Sequence, residues 1–109
     1  MARLLVVDDE AALLALLGRY LERCGHAVKA CTTADAALAE FLAAPTAFDL
    51  VVTDLTLDGM SGEEMLGKMR QKNPKIPAVI ASGYPYEPHL KGVQFLQKPF
   101  LPQMLVDMI

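Results

Sequence analysis

Carboxylates, a hydroxyl and a lysine stand at the ends of separate short apolar runs in this sequence of 109 residues. Along the chain these side chains are Asp8 and Asp9, then Asp54, Ser82 and Lys98. Gathered in one pocket, the carboxylates would repel, since two of them ~5 Å apart cost about 3 kcal/mol at an effective dielectric of ~20. Such a pocket needs a compensating cation, and hard oxygen ligands with an open position suit Mg²⁺. A carboxylate surrounded by Mg²⁺, a lysine and a hydroxyl meets the requirements of phosphoryl transfer, which depends mainly on positioning and charge neutralisation.

Five short runs are the predicted strands that must position these residues, and helical patterns separate them. The strands are predicted at residues 4–7, 27–31, 50–53, 78–81 and 94–97. The first helix is predicted to stop at Gly25, and the second to begin after the N-cap Thr33. The third must end by Asn73, because Pro74 disfavours helical geometry in the residue before it. Residues 101–109 have the pattern of a short last helix.

This alternation of strands and helices predicts an α/β fold in a single domain over residues 1–109, with a doubly wound parallel sheet between two helical layers. The first, third and fourth strands are almost wholly apolar and suit the middle of the sheet. Lys29 on the second strand and Gln94 and Gln97 on the fifth suit its edges, which gives the flavodoxin-like order 2-1-3-4-5. In that order the ligand crevice lies outside the carboxyl ends of the first and third strands, where the three aspartates stand.

Length, charge and hydropathy disfavour several classes of protein. A chain of 109 residues is one domain by length and can bury a core without disulfides or metal. Its net charge of −3 disfavours direct binding to nucleic acid or to an anionic membrane. No apolar run approaches the ~18 residues that span a membrane, and Asp8, Asp9 and Glu10 interrupt the first apolar stretch too early for a signal peptide. We therefore predict a cytoplasmic protein without membrane insertion.

The remaining reactive or charged side chains have simpler interpretations. Cys24 and Cys31 have no second pair and are predicted to be reduced, partly buried thiols. His26 and His89 are isolated from each other and from other ligand types, so a metal site through them is not expected. Basic residues late in the third helix and just beyond it complement the helix dipole and are predicted to face solvent. These are Lys68, Arg70, Lys72 and Lys75.

Each candidate residue on its own has an ordinary structural explanation. An aspartate after a strand is usually a turn residue or a helix cap, as Asp8 and Asp9 could be for the first helix. Ser82 before Gly83 is typical of a turn, and Lys98 alone would be a solvated lysine. The combination is more specific than its parts, because complementary groups at four different strand ends are hard to explain as turns.

The residues around these positions resemble a known family. The segments LLVVDDE, LVVTDLTLDGMSGEEML, VIASGY and FLQKPF are similar, in order and nearly throughout the chain, to the receiver domains of two-component response regulators. The FLQKPF ending and the short stretch of residues 82–98 most resemble receivers attached to hybrid histidine kinases. The resemblance implies a signalling domain that takes a phosphoryl group from a histidine kinase or phosphotransfer domain and then changes conformation. It also implies that the domain catalyses only its own modification and slow dephosphorylation, so it is not an enzyme acting on external substrates.

The resemblance implies a role for each acid in the pocket. Asp54 matches the phosphoacceptor of the family. Asp9 and Asp54 would ligate Mg²⁺ directly, with the backbone carbonyl of Thr56 as the third protein ligand. Asp8 would act on the ion largely through water.

Residues from the last two strands would handle the phosphoryl group. By the same resemblance, Lys98 would contact the transferred group and Ser82 would hydrogen-bond it. Phe95 matches the aromatic side chain that turns inward on activation. The peptide between Lys98 and Pro99 matches the family's cis peptide, a form that only proline adopts at low cost.

Three features depart from the family pattern. Asp58 stands where the family usually has proline, four residues after the phosphoacceptor, and the sequence leaves its effect open. Residues 82–98 form a shorter stretch than usual that contains Pro85 and Pro88, so the fourth helix is predicted to be short or absent. Its loss removes much of the surface through which many DNA-binding regulators pair, so the isolated domain is predicted to be a monomer. The last helical pattern reaches Ile109 without a stop signal, as expected of a longer parent chain.

Other functions fit parts of the pattern. A phosphatase with an aspartyl-phosphate intermediate also uses a strand-end aspartate, but such enzymes carry a second aspartate two residues on, where this chain has Thr56. A binding module of the same fold that is never phosphorylated usually lacks the acids, the hydroxyl or the lysine, and all are present here. A nucleotide-binding enzyme is less favoured, as no glycine-rich phosphate loop follows the first strand.

Overall fold

A central parallel sheet and four helices make up the computed structural model, which describes residues 1–109. The strands are β1 (Arg3–Val7), β2 (Ala27–Cys31), β3 (Leu50–Asp54), β4 (Thr56–Leu57), β5 (Met60–Ser61), β6 (Ala78–Ser82) and β7 (Val93–Gln97). The helices are α1 (Ala11–Arg23), α2 (Ala34–Ala43), α3 (Gly62–Arg70) and α4 (Pro102–Val106). Five strands form the parallel sheet in the order β2-β1-β3-β6-β7, while β4 and β5 pair as a separate antiparallel hairpin.

The strand order confirms the predicted 2-1-3-4-5 topology, with β6 and β7 as the fourth and fifth strands of the prediction. Every residue of the central strand β6 is buried. The strands that carry Lys29 and Gln94, β2 and β7, lie at the two edges, and both side chains are exposed. Central parallel strands are covered by helices on both faces, so only an edge strand lets a long polar side chain reach water.

Helices cover both faces of the sheet, so alternate residues of each strand belong to two separate cores. On β1, Leu5 and Val7 join the core under α2 and α3, whereas Leu4 and Val6 join the core under α1 and α4. Burying an aliphatic side chain of this size is worth ~1.5–3 kcal/mol relative to leaving it exposed. This alternation fixes the face to which each residue at a strand end turns.

The helix ends follow signals in the sequence. Thr33 precedes α2, and its hydroxyl accepts a hydrogen bond from the Ala36 amide at 3.1 Å, which confirms the predicted N-cap. Gly25 follows α1 with a φ of 93°, the left-handed geometry that favours glycine after a helix. Ser61 caps α3 in the same way as Thr33, by accepting a hydrogen bond from the Glu64 amide at 3.0 Å.

Residues 84–92 contain no helix, which confirms the prediction that the fourth helix of the family pattern is short or absent. The last helix, Pro102–Val106, is shorter than the predicted residues 101–109. The β4–β5 hairpin was not predicted, because two-residue strands are too short to leave a periodic pattern. None of the four helices has the length and apolar character needed to cross a bilayer.

Two predictions about single side chains are wrong. Cys24 is exposed rather than partly buried, because it caps the last turn of α1, where the neighbouring residues are also exposed; Cys31 is buried. Arg70 does not simply face solvent, since it is half-buried and its guanidinium donates to the carbonyls of Ile76 and Lys91. A planar group with five donors can satisfy carbonyls from two loops at once, whereas the helix dipole concerns only the charge at the end of the helix.

Candidate functional site

Three aspartates meet at the carboxyl ends of β1 and β3. The two strands are parallel neighbours with Val7 opposite Thr53, so the residues that follow leave the same edge of the sheet. Asp8, Asp9 and Asp54 each offer one carboxylate oxygen within 4.8 Å of the others. Asp8 is buried, Asp54 is half-buried and Asp9 is exposed, so the cluster opens toward solvent on the Asp9 side.

Lys98 places its ammonium group beside two of these carboxylates. Its Nζ donates a hydrogen bond to Asp8 Oδ2 at 2.9 Å and lies 3.6 Å from Asp54 Oδ2. The Lys98 amide donates to the Ser82 carbonyl at 2.8 Å, which fixes the backbone where β7 ends. The following peptide, Lys98–Pro99, is cis as predicted. Only 17% of the lysine side chain is exposed, so its charge acts where water screens it poorly.

Both carboxylate oxygens of Asp8 are engaged within the protein. Oδ1 accepts a hydrogen bond from the Glu10 amide at 2.9 Å, and Oδ2 accepts the one from Lys98. The side chain of Asp9 accepts no hydrogen bond from the protein, and the nearest cation to Asp54 is Lys98 at 3.6 Å. Asp9 and Asp54 therefore keep lone pairs free for a ligand, whereas Asp8 has few to offer.

The pocket holds more negative charge than the lysine offsets. Burial raises the pKa of the Asp54 carboxyl above its ordinary value; Lys98 opposes this shift, while Asp8 and Asp9 add to it. Burial alone would lower the pKa of the Lys98 ammonium group. The hydrogen bond and charge of Asp8, together with the charges of Asp54 and Glu10, outweigh that effect and raise the pKa above its ordinary value. A bound cation would offset this excess negative charge and would favour the ionised form of the carboxylates.

Ser82 stands at the end of β6, the strand next to β3, and is only 3% exposed. Asp54 pairs in register with Ala81, one residue before the serine. The Ser82 Oγ accepts a hydrogen bond from the Tyr84 amide at 3.1 Å, and its own proton has no acceptor in the protein. The hydroxyl can therefore still donate to an anion bound near Asp54.

Two residues that support Asp54 were not predicted from the sequence. The Thr53 hydroxyl is fully buried and donates to the Asp54 carbonyl at 2.9 Å. Gly62, the first residue of α3, lies so close that a Cβ there would be 2.2 Å from the same carbonyl oxygen. Glycine alone fits at this position. The available signals were a polar residue within an apolar strand and a glycine directly after the cap Ser61.

The other predicted residues lie around the pocket. Thr56 is exposed and begins the β4–β5 hairpin directly beyond Leu55. Phe95 is half-buried on β7, and its ring centroid lies 6.2 Å from that of Tyr86. Asp58 is exposed in the hairpin turn and is not a member of the carboxylate cluster. The residues that the fold brings together are Asp8, Asp9, Asp54 and Lys98, with Ser82 at the neighbouring strand end.

A sequence profile of the response regulator receiver domain matches residues 4–109. The chain belongs to this family. The match confirms the predicted fold and the predicted class of function, that of a phosphoacceptor domain in two-component signalling. Receiver domains bind Mg²⁺ at an acidic pocket, and the three aspartates of this receiver domain form such a pocket.

Similar proteins match nearly the whole receiver domain. The response regulator protein FleR of Pseudomonas aeruginosa is 33% identical over 99% of the chain, which spans only 24% of FleR. The structure of the receiver domain from the hybrid histidine kinase CckA is 29% identical, with a TM-score of 0.88 over 97% of this chain and 94% of that one. The response regulator TrrA of Thermotoga maritima, solved in complex with Mg²⁺ and BeF, is 28% identical, with a TM-score of 0.86 over 99% and 96% of the two chains.

The donor set of the pocket fits a magnesium ion. Carboxylates are the hard oxygen ligands that Mg²⁺ prefers, and the ion usually takes only one or two of them together with water and phosphate oxygens. Asp9 and Asp54 have free oxygens close to one another, and the exposure of Asp9 leaves a path for the ion and its waters. The raised pKa of Asp54 reflects in part the negative charge that the ion would offset.

Proposed function

We propose that this receiver domain takes a phosphoryl group from a histidine kinase or phosphotransfer domain onto Asp54. The observation that carries the proposal is the surroundings of the Asp54 carboxylate, 3.6 Å from Lys98 Nζ and within 4.8 Å of the other two aspartates. Asp8 is engaged through both oxygens, and Asp9 forms no ion pair with the lysine. Asp54 is thus the aspartate that combines free oxygens, partial burial and a nearby cation.

The transfer is a displacement at phosphorus. A carboxylate oxygen of Asp54 attacks the phosphorus of the donor's phosphohistidine, and the new O–P bond forms as the P–N bond breaks. The electron pair of the broken bond stays on the imidazole nitrogen, which takes up a proton from solvent. The product is an acyl phosphate on Asp54. Most of the catalysis in such a step comes from positioning and from charge stabilisation of the transferring oxygens.

Asp9, Asp54 and the backbone carbonyl of Thr56 are the proposed protein ligands of Mg²⁺. When bound, the ion supplies positive charge that offsets the negative charge of the phosphoryl oxygens. Asp8 would act through water, which agrees with the engagement of both its oxygens by Glu10 and Lys98.

Lys98 and Ser82 are proposed to hold the phosphoryl group from the protein side. Asp8 positions the ammonium group of Lys98 before the donor arrives, so little reorganisation is needed at the moment of transfer. The Ser82 hydroxyl is fixed through its oxygen by the Tyr84 amide and has a proton free to donate. Both groups reach the pocket from strand ends rather than from long loops.

The modified domain is proposed to switch by using Ser82 and Phe95. Donation from Ser82 to the phosphoryl group stabilises a state in which Phe95 packs inward. Phe95 lies opposite Ile80 in the β6–β7 register, and alternation puts Ser82 on the same face of the sheet as Ile80. The phosphoryl group shifts the equilibrium because it contacts the two states differently.

The phosphodonor is proposed to dock on an apolar surface beside the pocket. Leu16 of α1 is 61% exposed and Leu101 is 70% exposed, which is unusually high for leucine side chains. Leu13, on the same helix as Leu16, and Phe100, next to Leu101 in the chain, line a hollow that also contains Lys98. An apolar helix face of the donor that covers this surface would bring its phosphohistidine to the open side of the pocket.

We extend the proposal to the whole described chain. Residues 1–109 form one receiver domain that modifies and slowly dephosphorylates itself, without external substrates and without direct contact to nucleic acid. Support comes from the open, exposed Asp9 side of the pocket, through which water reaches the acyl phosphate, and from the net charge of −3. Cys24 and Cys31 are both free thiols, as expected of a protein in the reducing cytoplasm.

Intact-mass measurement after incubation with acetyl phosphate and Mg²⁺ tests the phosphoacceptor. The wild type should gain one phosphoryl adduct, and Asp54→Asn should gain none. Asp35→Asn, which changes an exposed aspartate in the first turn of α2, serves as the matched control and should be modified like the wild type. An equal yield of adduct in Asp54→Asn would refute the assignment.

A further inference from the structure

Residues 84–91, here named the strap, lie along α3 where the family pattern has a helix. At one end of α3, Glu63 accepts a hydrogen bond from the His89 amide at 3.1 Å, and its Oε1 lies 3.1 Å from His89 Nδ1. At the other end, the Arg70 guanidinium donates to the Lys91 carbonyl. Glu63 and Arg70 are seven residues apart, so they lie on one face of the helix about two turns from each other. The strap is therefore fastened to α3 near both ends of the helix.

The Arg70 guanidinium is also held by a backbone carbonyl outside the strap. Its Nε and Nη2 donate to the Ile76 carbonyl at 3.3 and 2.9 Å, so the position of the guanidinium does not depend on the strap alone. Gly92 follows the strap with a φ of 72°, a geometry that glycine adopts without strain, and leads the chain into β7. The strap therefore ends at a defined backbone turn at Gly92.

Tyr86 is the part of the strap closest to the proposed switch. Its ring centroid lies 6.2 Å from that of Phe95 and 6.1 Å from that of His89. Tyr86 also lines a hollow with Leu55 and Thr56, which directly follow β3. In the sheet, β6 lies between β3 and β7. Tyr86 therefore reaches across the end of β6, from Phe95 to the chain beyond Asp54.

Tyr86 lies on the face of the sheet toward which Phe95 would turn inward. Phe95 and Ser82 turn to the face of the sheet that α2 and α3 cover, and Tyr86 packs against the core on this face. The Tyr86 hydroxyl is buried without a hydrogen-bond partner. A buried hydroxyl without a partner is unfavourable, so the strap and the packing of the ring must hold Tyr86 in place.

We infer that Tyr86 blocks the inward position of Phe95 in the unphosphorylated domain, and that the fastening of the strap to α3 sets how readily the domain switches. The inference rests on the proposed function. Because the Tyr84 amide is hydrogen-bonded to Ser82 Oγ, a shift of Ser82 toward a phosphoryl group on Asp54 acts directly on the start of the strap. Release of the strap then frees the path of Phe95.

A weaker strap should favour the switched state, so a ligand that prefers this state should bind more tightly. Beryllium fluoride with saturating Mg²⁺ is the probe, because it mimics a phosphoryl group on the carboxylate. His89→Ala removes a side chain that is 77% exposed and leaves its amide contact with Glu63. We expect an apparent affinity tighter by about two- to fivefold by calorimetric titration, the order of magnitude for a contact between exposed polar side chains. Glu87→Ala, on the same strap but without an ion pair or side-chain hydrogen bond, should leave the affinity unchanged.

Two substitutions of Tyr86 should act in opposite directions. Tyr86→Ala removes the blocking ring and should tighten binding, with the ¹⁹F resonance of fluorinated Phe95 in the free domain moved toward its position in the beryllium fluoride complex. Tyr86→Phe keeps the ring and removes only the unpartnered hydroxyl. It should stabilise the strapped state and weaken binding. Thermal unfolding of each variant establishes that it is folded.

The outcomes separate this inference from the proposed function. Tighter binding by His89→Ala together with weaker binding by Tyr86→Phe supports the strap. Unchanged or reversed affinities in both variants, with normal binding by the wild type, would overturn the strap and leave the phosphoacceptor proposal intact. Absence of beryllium fluoride binding by the wild type would overturn the proposed function, and the strap with it.

Discussion

The ammonium group of Lys98 hydrogen-bonds Asp8 at 2.9 Å but lies 3.6 Å from Asp54, so the buried aspartate rather than the proposed phosphoacceptor holds the lysine. Because Asp8 accepts the hydrogen bond, the Asp54 oxygens remain free, and the positive charge of Lys98 still lies beside them. The three acids therefore differ: Asp8 is buried and positions the lysine, Asp9 is exposed to solvent, and Asp54 is half-buried with free oxygens.

Magnesium binding should depend unequally on the two aspartates that follow β1. Asp9→Asn should weaken Mg²⁺ binding by at least roughly 10–100-fold, the loss typical of residues that only support a metal ligand, because it removes a proposed direct ligand. Asp8→Asn should weaken binding less, since the oxygens of Asp8 are already engaged by Glu10 and Lys98. Calorimetric titration without phosphate measures both effects. A wild type that binds no cation at millimolar Mg²⁺ would count against the whole pocket.

Asp54→Asn should stabilise the metal-free domain at neutral pH. The pKa of Asp54 is raised in the folded state, so the folded state binds the proton more tightly than the unfolded chain does. Its contribution to stability is therefore full below the unfolded pKa of ~3.9 and is lost as pH rises through the folded pKa. We expect Tm in EDTA to rise by a few degrees in the variant at pH 7, since ~1 kcal/mol corresponds to ~4–8 °C in a domain of this size.

The gain in Tm should shrink as the pH falls toward 4, where the wild-type carboxyl becomes protonated. Added Mg²⁺ should reverse the order at pH 7, because the ion stabilises the wild type through its ligand Asp54 and the variant much less. A variant that is less stable than the wild type at pH 7 in EDTA would contradict the raised pKa.

Gly62→Ala should be destabilising and should also impair phosphorylation. The added Cβ would lie 2.2 Å from the Asp54 carbonyl oxygen and 3.0 Å from the Thr53 side chain, so the backbone under the phosphoacceptor must shift. A loss of about 1–3 kcal/mol in the free energy of unfolding is expected. Gly67→Ala is the matched control on the same helix, since its Cβ meets nothing within 4 Å. There we expect a gain of ~0.4–1 kcal/mol, measured by urea unfolding.

The isolated domain should remain a monomer with and without beryllium fluoride. Residues 84–92 contain no helix, so the face beside β7 lacks the regular apolar surface that a stable dimer buries, at least ~1,000 Å² in total. Light scattering with and without beryllium fluoride measures the mass of the particle in solution directly. Clear dimerisation on activation, lost on substitution of exposed residues between 84 and 96, would show that the pairing surface survives without the helix.

The sequence alone determined the sheet and the location of the pocket. Apolar runs ended by Asp8 and by Asp54 predicted adjacent parallel strands, and the polar edge residue Lys29 fixed an end of the sheet. These features are local or follow from burial, because a residue's place in a parallel sheet depends on whether helices cover both of its faces. The absence of a fourth helix was also predictable from the local sequence, because Pro85 and Pro88 restrict the backbone at their own positions.

Tertiary structure alone decided which of the gathered groups touch. Asp8 rather than Asp54 receives the hydrogen bond of a lysine 90 residues away, and the role of Gly62 depends on how closely α3 approaches β3. Tyr86 and Arg70 likewise contact other segments of the chain, and no periodic pattern in the sequence predicts which segments these are. Spacing along the chain predicts the edge of the sheet that a side chain reaches, but distances of 2.9 or 3.6 Å are set by the packing of all the elements together.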